Sequence, residues 1–101
     1  MSIKRWATRR DAAEAGIVKV LRDCGMSVQL LDTPVDLLVG FRRRTFLVEV
    51  KSGDKGYAKK LNENQEGFVA KWRGSEVVIL RSEQDAMDWC VQVAVETERA
   101  A

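Results

Sequence analysis

The chain has 101 residues, 46% hydrophobic and 32% charged, which is typical of one small globular domain and excludes a disordered chain. The net charge of +2 hides an asymmetry, because residues 1–60 carry 13 Lys/Arg against 7 Asp/Glu whereas residues 61–101 carry 4 against 8. Without any histidine, the chain has no Ser-His-Asp triad, Cys-His pair or HExxH zinc site, so any catalysis must use carboxylates, lysine and an external metal ion.

Residue periodicity predicts three helices and four strands in the order αβββαβα. Helices are expected where apolar residues recur at helical spacing: Arg9–Cys24, Asn62–Trp72 and Ser82–Glu98. Strands are expected over four short runs: Val28–Leu31, Val35–Phe41, Thr45–Lys51 and Glu76–Leu80. Thr8 or Asp11 is placed to begin the first helix and Gly25 to end it, while Ser82 and Asp85 form a capping box for the last helix. The pattern predicts one α/β layer fold.

We expect a single domain over residues 1–101, with a basic N-terminal arm at 1–8 and a frayed tail at 97–101. No apolar run approaches the ~18 residues that span a membrane, and the basic N-terminus lacks the apolar core of a signal peptide. An intracellular, cytoplasmic protein is therefore expected. Cys24 and Cys90 fit no metal-ligand spacing, and we predict two reduced, buried thiols.

A short arginine-rich turn at residues 42–44 joins the second and third predicted strands. If its loop is centred between residues 42 and 43, Asp36 lies directly opposite Glu49. Strand alternation places Lys51 on the same face as Glu49, and the other face receives Phe46, Val48 and Val50. Two carboxylates and one lysine then converge at one end of the hairpin.

Opposed carboxylates repel each other and destabilise a bare sheet. A divalent cation between them reverses that effect, and oxygen ligands suit Mg²⁺ or Mn²⁺. In the alternative interpretation, Asp36 only begins a strand, and Glu49 and Lys51 form an ordinary surface salt bridge. The hairpin geometry alone leaves both interpretations open.

Two further polar residues occupy positions where periodicity predicts apolar ones. Glu14 lies on the stripe of the first helix that also carries Ile17, Val18 and Leu21. Gln65 shares a face of the second helix with Leu61, Phe68, Val69 and Trp72. A glutamate on a core-facing stripe lowers stability unless it is paired or bound to metal, and a buried glutamine could simply bond to the backbone. Local rules often fail in this way at functional sites.

The sequence resembles the PD-(D/E)xK signature of restriction-endonuclease-like nucleases at residues 33–40 (TPVDLLVG) and 48–51 (VEVK). Residues 60–65 (KLNENQ), Phe68, 72–74 (WRG) and 77–82 (VVILRS) make it similar to small stand-alone VRR-NUC-type nucleases, which are often phage-encoded and similar to Holliday-junction resolvases. The resemblance covers about residues 9–90. It implies a restriction-endonuclease-like α/β core, αβββαβα, with a mixed four-stranded central sheet flanked by helices.

The resemblance implies a metal-dependent endonuclease that hydrolyses phosphodiester bonds of branched or flapped DNA, leaving 5′-phosphate and 3′-hydroxyl ends. Asp36 and Glu49 would bind one or two Mg²⁺ ions, for which Mn²⁺ could substitute. The backbone carbonyl of Val50 would be a further ligand, and Glu14 would complete the metal site directly or through water. The metal would lower the pKa of a bound water and stabilise the transition state.

Lys51 would orient the attacking water and offset charge on the phosphate, and Gln65 would position Lys51, a water or a neighbouring phosphate. The sequence departs from the family pattern at Val35, which stands between Pro34 and the aspartate. It departs again at the hairpin turn, which commonly contains glycine and is here all arginine at residues 42–44. Neither departure removes a catalytic group.

The basic residues would hold the DNA backbone on either side of the scissile phosphate: Arg9, Arg10, Arg42, Arg43, Arg44, Lys55, Lys59 and Lys60. Sequence-specific recognition is not expected, because so short a chain has no room for a recognition domain. The expected partner is therefore branched or otherwise structured DNA, met in the cytoplasm of a bacterial or phage-infected host cell.

The last predicted helix has two apolar stripes. One consists of Ala86, Trp89, Cys90 and Val93, and the other of Met87, Val91 and Val95. A helix that is apolar around much of its circumference must be covered on more than one side. It is either a deeply packed core helix or the contact surface of a homodimer, which would supply two active sites for paired nicks.

Two alternatives to the endonuclease stay open. One is a nucleic-acid-binding or assembly module with a nuclease fold that does not cut, although such a module has no need for convergent acids. The other is an exonuclease acting on DNA ends, which closed circular DNA would distinguish from an endonuclease.

Overall fold

A computed structural model describes residues 12–52 and 63–100, which form three helices and four strands in the predicted order. The helices are α1 (Glu14–Asp23), α2 (Glu63–Lys71) and α3 (Glu83–Ala100). The strands are β1 (Ser27–Leu30), β2 (Leu37–Phe41), β3 (Arg44–Val50) and β4 (Val78–Leu80). The α/β class is confirmed. The N-terminal arm and the predicted helix start at Thr8 or Asp11 lie outside the described residues.

The four strands form one mixed sheet in the order β1-β2-β3-β4. The first three strands are antiparallel neighbours, and β4 returns parallel to β3 after the crossover through α2. In the central hairpin Leu38 pairs with Leu47 and Gly40 with Thr45, which is the predicted register. Strand alternation therefore assigns the side chains to the faces that the sequence predicted.

The hydrophobic core lies between one face of the sheet and the helices α1 and α3. The sheet contributes Leu37, Val39, Val48, Val50 and Leu80, all buried. The helices contribute the two predicted stripes: Ile17, Val18 and Leu21 from α1, and Ala86, Trp89, Cys90 and Val93 from α3. Phe46 packs edge-on against Trp89, with ring centroids 5.1 Å apart. Burial of these side chains fixes the orientation of the sheet under the two helices.

The helix ends follow the sequence signals. Gly25 has φ +91° and ends α1 in a Schellman motif, in which Met26 N–H bonds to Leu21 O and Gly25 N–H to Arg22 O. At the start of α3, the Ser82 hydroxyl accepts a hydrogen bond from Asp85 N–H at 3.0 Å. The Asp85 carboxylate reaches back to Arg81 N–H rather than to Ser82, one residue earlier than in an ideal capping box.

The C-terminal helix is longer than predicted, and the burial predicted for one of the two cysteines is wrong. Helix α3 continues to Ala100, and Thr97 is buried with its hydroxyl donating to Val93 O at 2.8 Å, whereas the frayed tail expected at 97–101 stays a prediction. Cys24 is exposed rather than buried, because it lies in the turn that ends α1, whereas Cys90 is buried as predicted. Both cysteines are free thiols. Burial of the Cys90 thiol, together with its interaction with Cys24, raises the pKa of Cys90 to about 12.

The hairpin turn is shorter than predicted, because it contains two of the three arginines at residues 42–44. Arg42 and Arg43 occupy the two turn positions, both with positive φ (50° and 69°), and Arg44 begins β3. Positive φ at both central residues defines the turn type whose twist matches that of a two-residue hairpin.

No helix of the described residues has the length and apolar content needed to cross a membrane.

Candidate active site

Asp36 lies at the entrance to β2 and is held from two sides. Its backbone carbonyl accepts a hydrogen bond from Leu31 N–H at 2.8 Å, which ties it to the end of β1. Its carboxylate oxygen Oδ2 accepts a hydrogen bond from Val50 N–H at 2.8 Å, which ties it to the end of β3. The aspartate is therefore fixed beside Glu49 by backbone groups of both flanking strands, as the predicted hairpin register requires.

Glu49 is the most deeply buried charged residue among the described ones, with only 1% of its surface exposed. Its Oε2 atom contacts both Gln65 Nε2, which donates a hydrogen bond to it, and Lys51 Nζ at 3.5 Å. Its Oε1 atom is also buried but has no hydrogen-bond partner within residues 12–52 and 63–100. A buried carboxylate oxygen without a partner carries a desolvation cost of about 1–3 kcal/mol.

The electrostatics of the acid pair are unfavourable in the absence of a cation. Burial and the neighbouring Asp36 carboxylate together raise the pKa of Glu49 from its ordinary 4.5 to about 8, and Lys51 offsets only part of this. Like-charged groups that share a buried position disfavour double ionisation. The pair therefore needs a proton or a cation at neutral pH.

Lys51 completes the convergence predicted from strand alternation. Its backbone N–H bonds to Leu80 O at 3.0 Å, so the residue is anchored where the parallel strands β3 and β4 end side by side. Its side chain is 14% exposed and lies within 3.5 Å of Glu49. The ammonium group is thus held at the rim of the acid pair, where it remains within reach of solvent and of an anionic ligand.

Gln65 reaches the site from the crossover helix α2. The sequence predicted that it would position Lys51, a water or a phosphate, and that role stays a prediction; in the structure its amide donates a hydrogen bond to the Glu49 carboxylate. The signal that identified it was a polar residue on an apolar helical face, but that signal could not name the partner. An amide donor on one oxygen of Glu49 fixes the orientation of the carboxylate and leaves the other oxygen available.

The predicted role of Glu14 as a third metal ligand is not tested by the structure. Glu14 is buried in the first turn of α1, as its position on the apolar stripe predicted. However, the described residues contain no group of three or more Cys, Asp or Glu side chains that could hold a metal ion. The metal-ligand role assigned to Glu14, like that of the Val50 carbonyl, stays a prediction.

The predicted DNA-binding residues fall into two groups. Arg9, Arg10, Lys55, Lys59 and Lys60 lie outside the described residues. Arg42, Arg43 and Arg44 lie at the other end of the hairpin, about 20 Å along β3 from Glu49. A phosphate held at the turn is therefore not adjacent to the one that would contact the acid pair.

Arg42 has structural partners that the sequence did not reveal. Its guanidinium Nη1 donates to Ala94 O and to Thr97 Oγ1, both at 3.1 Å, and its Cζ lies 4.9 Å from the centroid of the Phe41 ring. These contacts tie the hairpin turn to the C-terminal part of α3. The two hydrogen-bond partners, Ala94 and Thr97, stand more than fifty residues further along the chain, so no local pattern could have found them.

The second apolar stripe of α3 is exposed in the described part of the chain. Met87, Val91 and Val95 all face solvent, whereas the first stripe is buried against the sheet. The helix is thus not the deeply packed core helix that was one of the two expectations. A second copy of the chain remains the predicted partner for this face.

No family model, curated protein or solved structure matches this chain. The functional assignment therefore depends on the geometry and electrostatics of the site itself.

Proposed function

We propose that this protein is a metal-dependent endonuclease that hydrolyses phosphodiester bonds of branched or flapped DNA, with Asp36, Glu49 and Lys51 as its central residues. The observation that supports this proposal is the pair formed by buried Glu49 at the end of β3 and half-buried Asp36 at the start of β2. Glu49 is 1% exposed, abuts a second carboxylate and has a lysine at its rim. Such an arrangement lowers the stability of a purely structural sheet, so it favours a site that binds a cation and an anion together.

The residues at the acid pair fit Mg²⁺ or Mn²⁺. The donors are carboxylate oxygens, one of which is buried with no hydrogen-bond partner among the described residues. Mg²⁺ usually binds through one or two carboxylates and keeps several waters or substrate phosphates as its other ligands. Asp36 and Glu49 would hold the ion, and the Val50 carbonyl and Glu14 stay candidate further ligands. When bound, such an ion activates water and stabilises charge on the phosphate.

The other residues act on the phosphate and on the acids. Lys51 carries a positive charge toward solvent beside Glu49, where it would pair with a phosphate oxygen and orient the attacking water. Gln65 holds Glu49 in a single orientation through its amide. Val50 N–H fixes the Asp36 carboxylate, so both acids are positioned before any ligand arrives.

The proposed partners are structured DNA and a second copy of the chain. The basic residues between positions 1 and 60 supply the charge that attracts a polyanion without reading its sequence. The exposed stripe of Met87, Val91 and Val95 supplies an apolar surface for a homodimer. Two sites in one dimer would nick a branched substrate symmetrically. We further propose that the protein acts in the cytoplasm.

The decisive experiment compares cleavage of a synthetic four-way junction and its matched linear duplex in Mn²⁺, with the Asp36→Asn variant alongside. Asparagine retains an oxygen that can accept from Val50 N–H but removes the charge, so the fold should persist while cleavage falls at least about 1,000-fold. Circular dichroism and thermal unfolding of the variant provide the control for folding.

Each outcome assigns the protein to a different class. Symmetric nicks in the junction that Asp36→Asn abolishes support a dimeric, resolvase-like endonuclease. Cleavage of linear DNA with closed circular DNA left intact would instead indicate an exonuclease. Tight binding without cleavage in Mg²⁺ or Mn²⁺ would contradict the enzyme and favour a binding module that retains the nuclease-like site.

A further inference from the structure

A stacked aromatic pair, half-buried Phe68 and exposed Trp72, lies on the same helix face as Gln65. Phe68 and Trp72 follow Gln65 at spacings of three and seven residues, and Trp72 N–H bonds to Phe68 O at 2.9 Å, so the helical geometry extends to the tryptophan. Their rings are stacked, with centroids 5.2 Å apart and planes inclined by 28°. Trp72 nevertheless leaves 45% of its surface exposed, which is unusual for the largest apolar side chain.

The indole is held in a fixed position rather than extending freely into solvent. Phe68 stacks against one part of the ring system, and the backbone at Gly74 passes close to another. A Cβ at position 74 would lie only 2.7–2.8 Å from three indole atoms, so no other residue fits there without displacing the ring. A rigid, partly exposed aromatic surface has little conformational entropy to lose when it binds a flat ligand.

This aromatic surface, formed by Phe68 and Trp72, shares its helix face with Gln65, which contacts the candidate active site. Gln65, at the other end of the same face, donates to the Glu49 carboxylate. Seven residues of helix separate Gln65 from Trp72 by about 10 Å. That distance corresponds to about three steps of a stacked nucleic-acid strand, at 3.4 Å each. A strand whose phosphate lies at the acid pair therefore brings a nearby base to the tryptophan.

The charges next to the indole favour a polyanion as its occupant. The neighbouring residues Lys71 and Arg73 are both cationic and exposed. An aromatic surface flanked by cations is the arrangement with which proteins hold single-stranded nucleic acid, because bases stack on the rings while phosphates meet the charges. Paired bases within a duplex present no free face to such a surface, so the occupant must be an unpaired base.

We infer that Trp72, stacked on Phe68, binds an unpaired base of the DNA substrate about three nucleotides from the scissile phosphate. The inference rests on the proposed function and specifies its substrate: DNA with unpaired bases beside the cleavage point, such as a flap or splayed arm, is preferred to continuous duplex. Trp72 is thus a specificity residue, and it does not take part in the chemistry.

The test uses a flap substrate and a matched duplex, each bound in EDTA so that metal-dependent cleavage cannot occur. Replacing Trp72 by Leu keeps a smaller apolar side chain but removes the flat ring, and should weaken flap binding by about 10-fold while leaving duplex binding unchanged. Trp72→Phe keeps a ring and should remain within about 3-fold of the wild type. Leu30→Ala, at an exposed apolar residue on β1, is the matched control.

A second measurement locates the base. A fluorescent 2-aminopurine placed at successive flap positions should be quenched most at about the third nucleotide from the cleavage point, and Trp72→Leu should remove that quenching. Gly74→Ala leaves the indole present but displaces it, so it should reduce the quenching as well. Unchanged quenching in Trp72→Leu would overturn the inference.

The outcomes separate this inference from the proposed function. Equal binding of flap and duplex by wild type and Trp72→Leu, together with cleavage that depends on Asp36, would reject the base-binding role and keep the endonuclease. Absence of both DNA binding and cleavage in the wild type would reject the two together. Loss of fold in Trp72→Leu, detected by circular dichroism, would leave the decision to the Gly74→Ala quenching result.

Discussion

The two ends of the β2–β3 hairpin carry opposite charges and differ in how those charges are compensated. At the open end, Asp36 and Glu49 lie side by side, Gln65 of α2 donates to Glu49, and burial raises the pKa of Glu49 to about 8. At the turn, Arg42 is exposed to solvent but makes two hydrogen bonds to α3 and lies over the Phe41 ring. The open end keeps two carboxylates that repel each other, whereas at the turn the charge of Arg42 is compensated by contacts within its own chain.

This difference separates two kinds of charged residue that look alike in the sequence. Both were predicted to contact the substrate, the acids through metal and the arginines through phosphate. Glu49 is buried with one carboxylate oxygen that has no hydrogen-bond partner among the described residues, which lowers the stability of the fold, so its presence favours a function. A charge with satisfied hydrogen bonds on its own chain contributes to stability, and that contribution is enough to explain Arg42. The comparison can be tested at each end.

The largest expected effect distinguishes Lys51 from Arg43 in catalysis. Lys51→Met removes the positive charge at the rim of the acid pair, and should lower the cleavage rate at saturating DNA by about 100-fold or more. Arg43→Ala, about 20 Å away along the strand, should leave that rate unchanged. It should affect only DNA binding, by reducing the slope of log affinity against log salt concentration by about one. Equal losses of rate in the two variants would contradict the division of the hairpin.

The next effect is a pH dependence of stability in the metal-free protein. Because the folded state raises the pKa of Glu49 from 4.5 to about 8, it holds a proton more tightly than the unfolded chain does. The stabilisation is therefore complete below pH 4.5 and is lost as the pH rises to about 8. The free energy of unfolding, measured by urea titration at pH 5, 6, 7 and 8, should fall over this range by a few kcal/mol at most.

Glu49→Gln is the control for that pH dependence, because it removes the titrating group and keeps the shape. In this variant the free energy of unfolding should fall much less between pH 5 and 8 than it does in the wild type. Millimolar Mg²⁺ should raise the melting temperature of the wild type at pH 8 more than that of Glu49→Gln, since only the former offers two carboxylates. A wild type whose stability rises from pH 5 to 8 would show that the acid pair is not destabilising.

The smallest effect distinguishes the two turn arginines in stability. Arg42→Ala removes the hydrogen bonds to Ala94 and Thr97 together with the contact to the Phe41 ring, and should lower the free energy of unfolding by about 1–2 kcal/mol. Arg43→Ala should change it by less than about 0.5 kcal/mol, as at most exposed positions. Denaturant unfolding of both variants measures the difference. Equal stability would mean that Arg42 is available to bind DNA.

Local sequence patterns determined the elements and the register of the hairpin. Period-two alternation on both sides of a two-residue turn permits one pairing in which the apolar residues share a face, and that pairing places Asp36 beside Glu49. Likewise, Gly25 alone predicted the end of α1, because few other residues adopt its positive φ without strain. These features depend on residues a few positions apart, so they can be predicted from the sequence without knowledge of the tertiary contacts.

Tertiary structure decided which polar groups are buried and which acquire partners. Glu49 is buried and receives a hydrogen bond from Gln65 of α2, sixteen residues away. Arg42 finds Thr97 fifty-five residues away, and the stripe of Met87, Val91 and Val95 is left exposed because the sheet can cover only one side of α3. Burial depends on what packs from distant segments. The sequence could therefore name the candidate acids, but only the packing of the helices on the sheet determined the environment that makes them a candidate site.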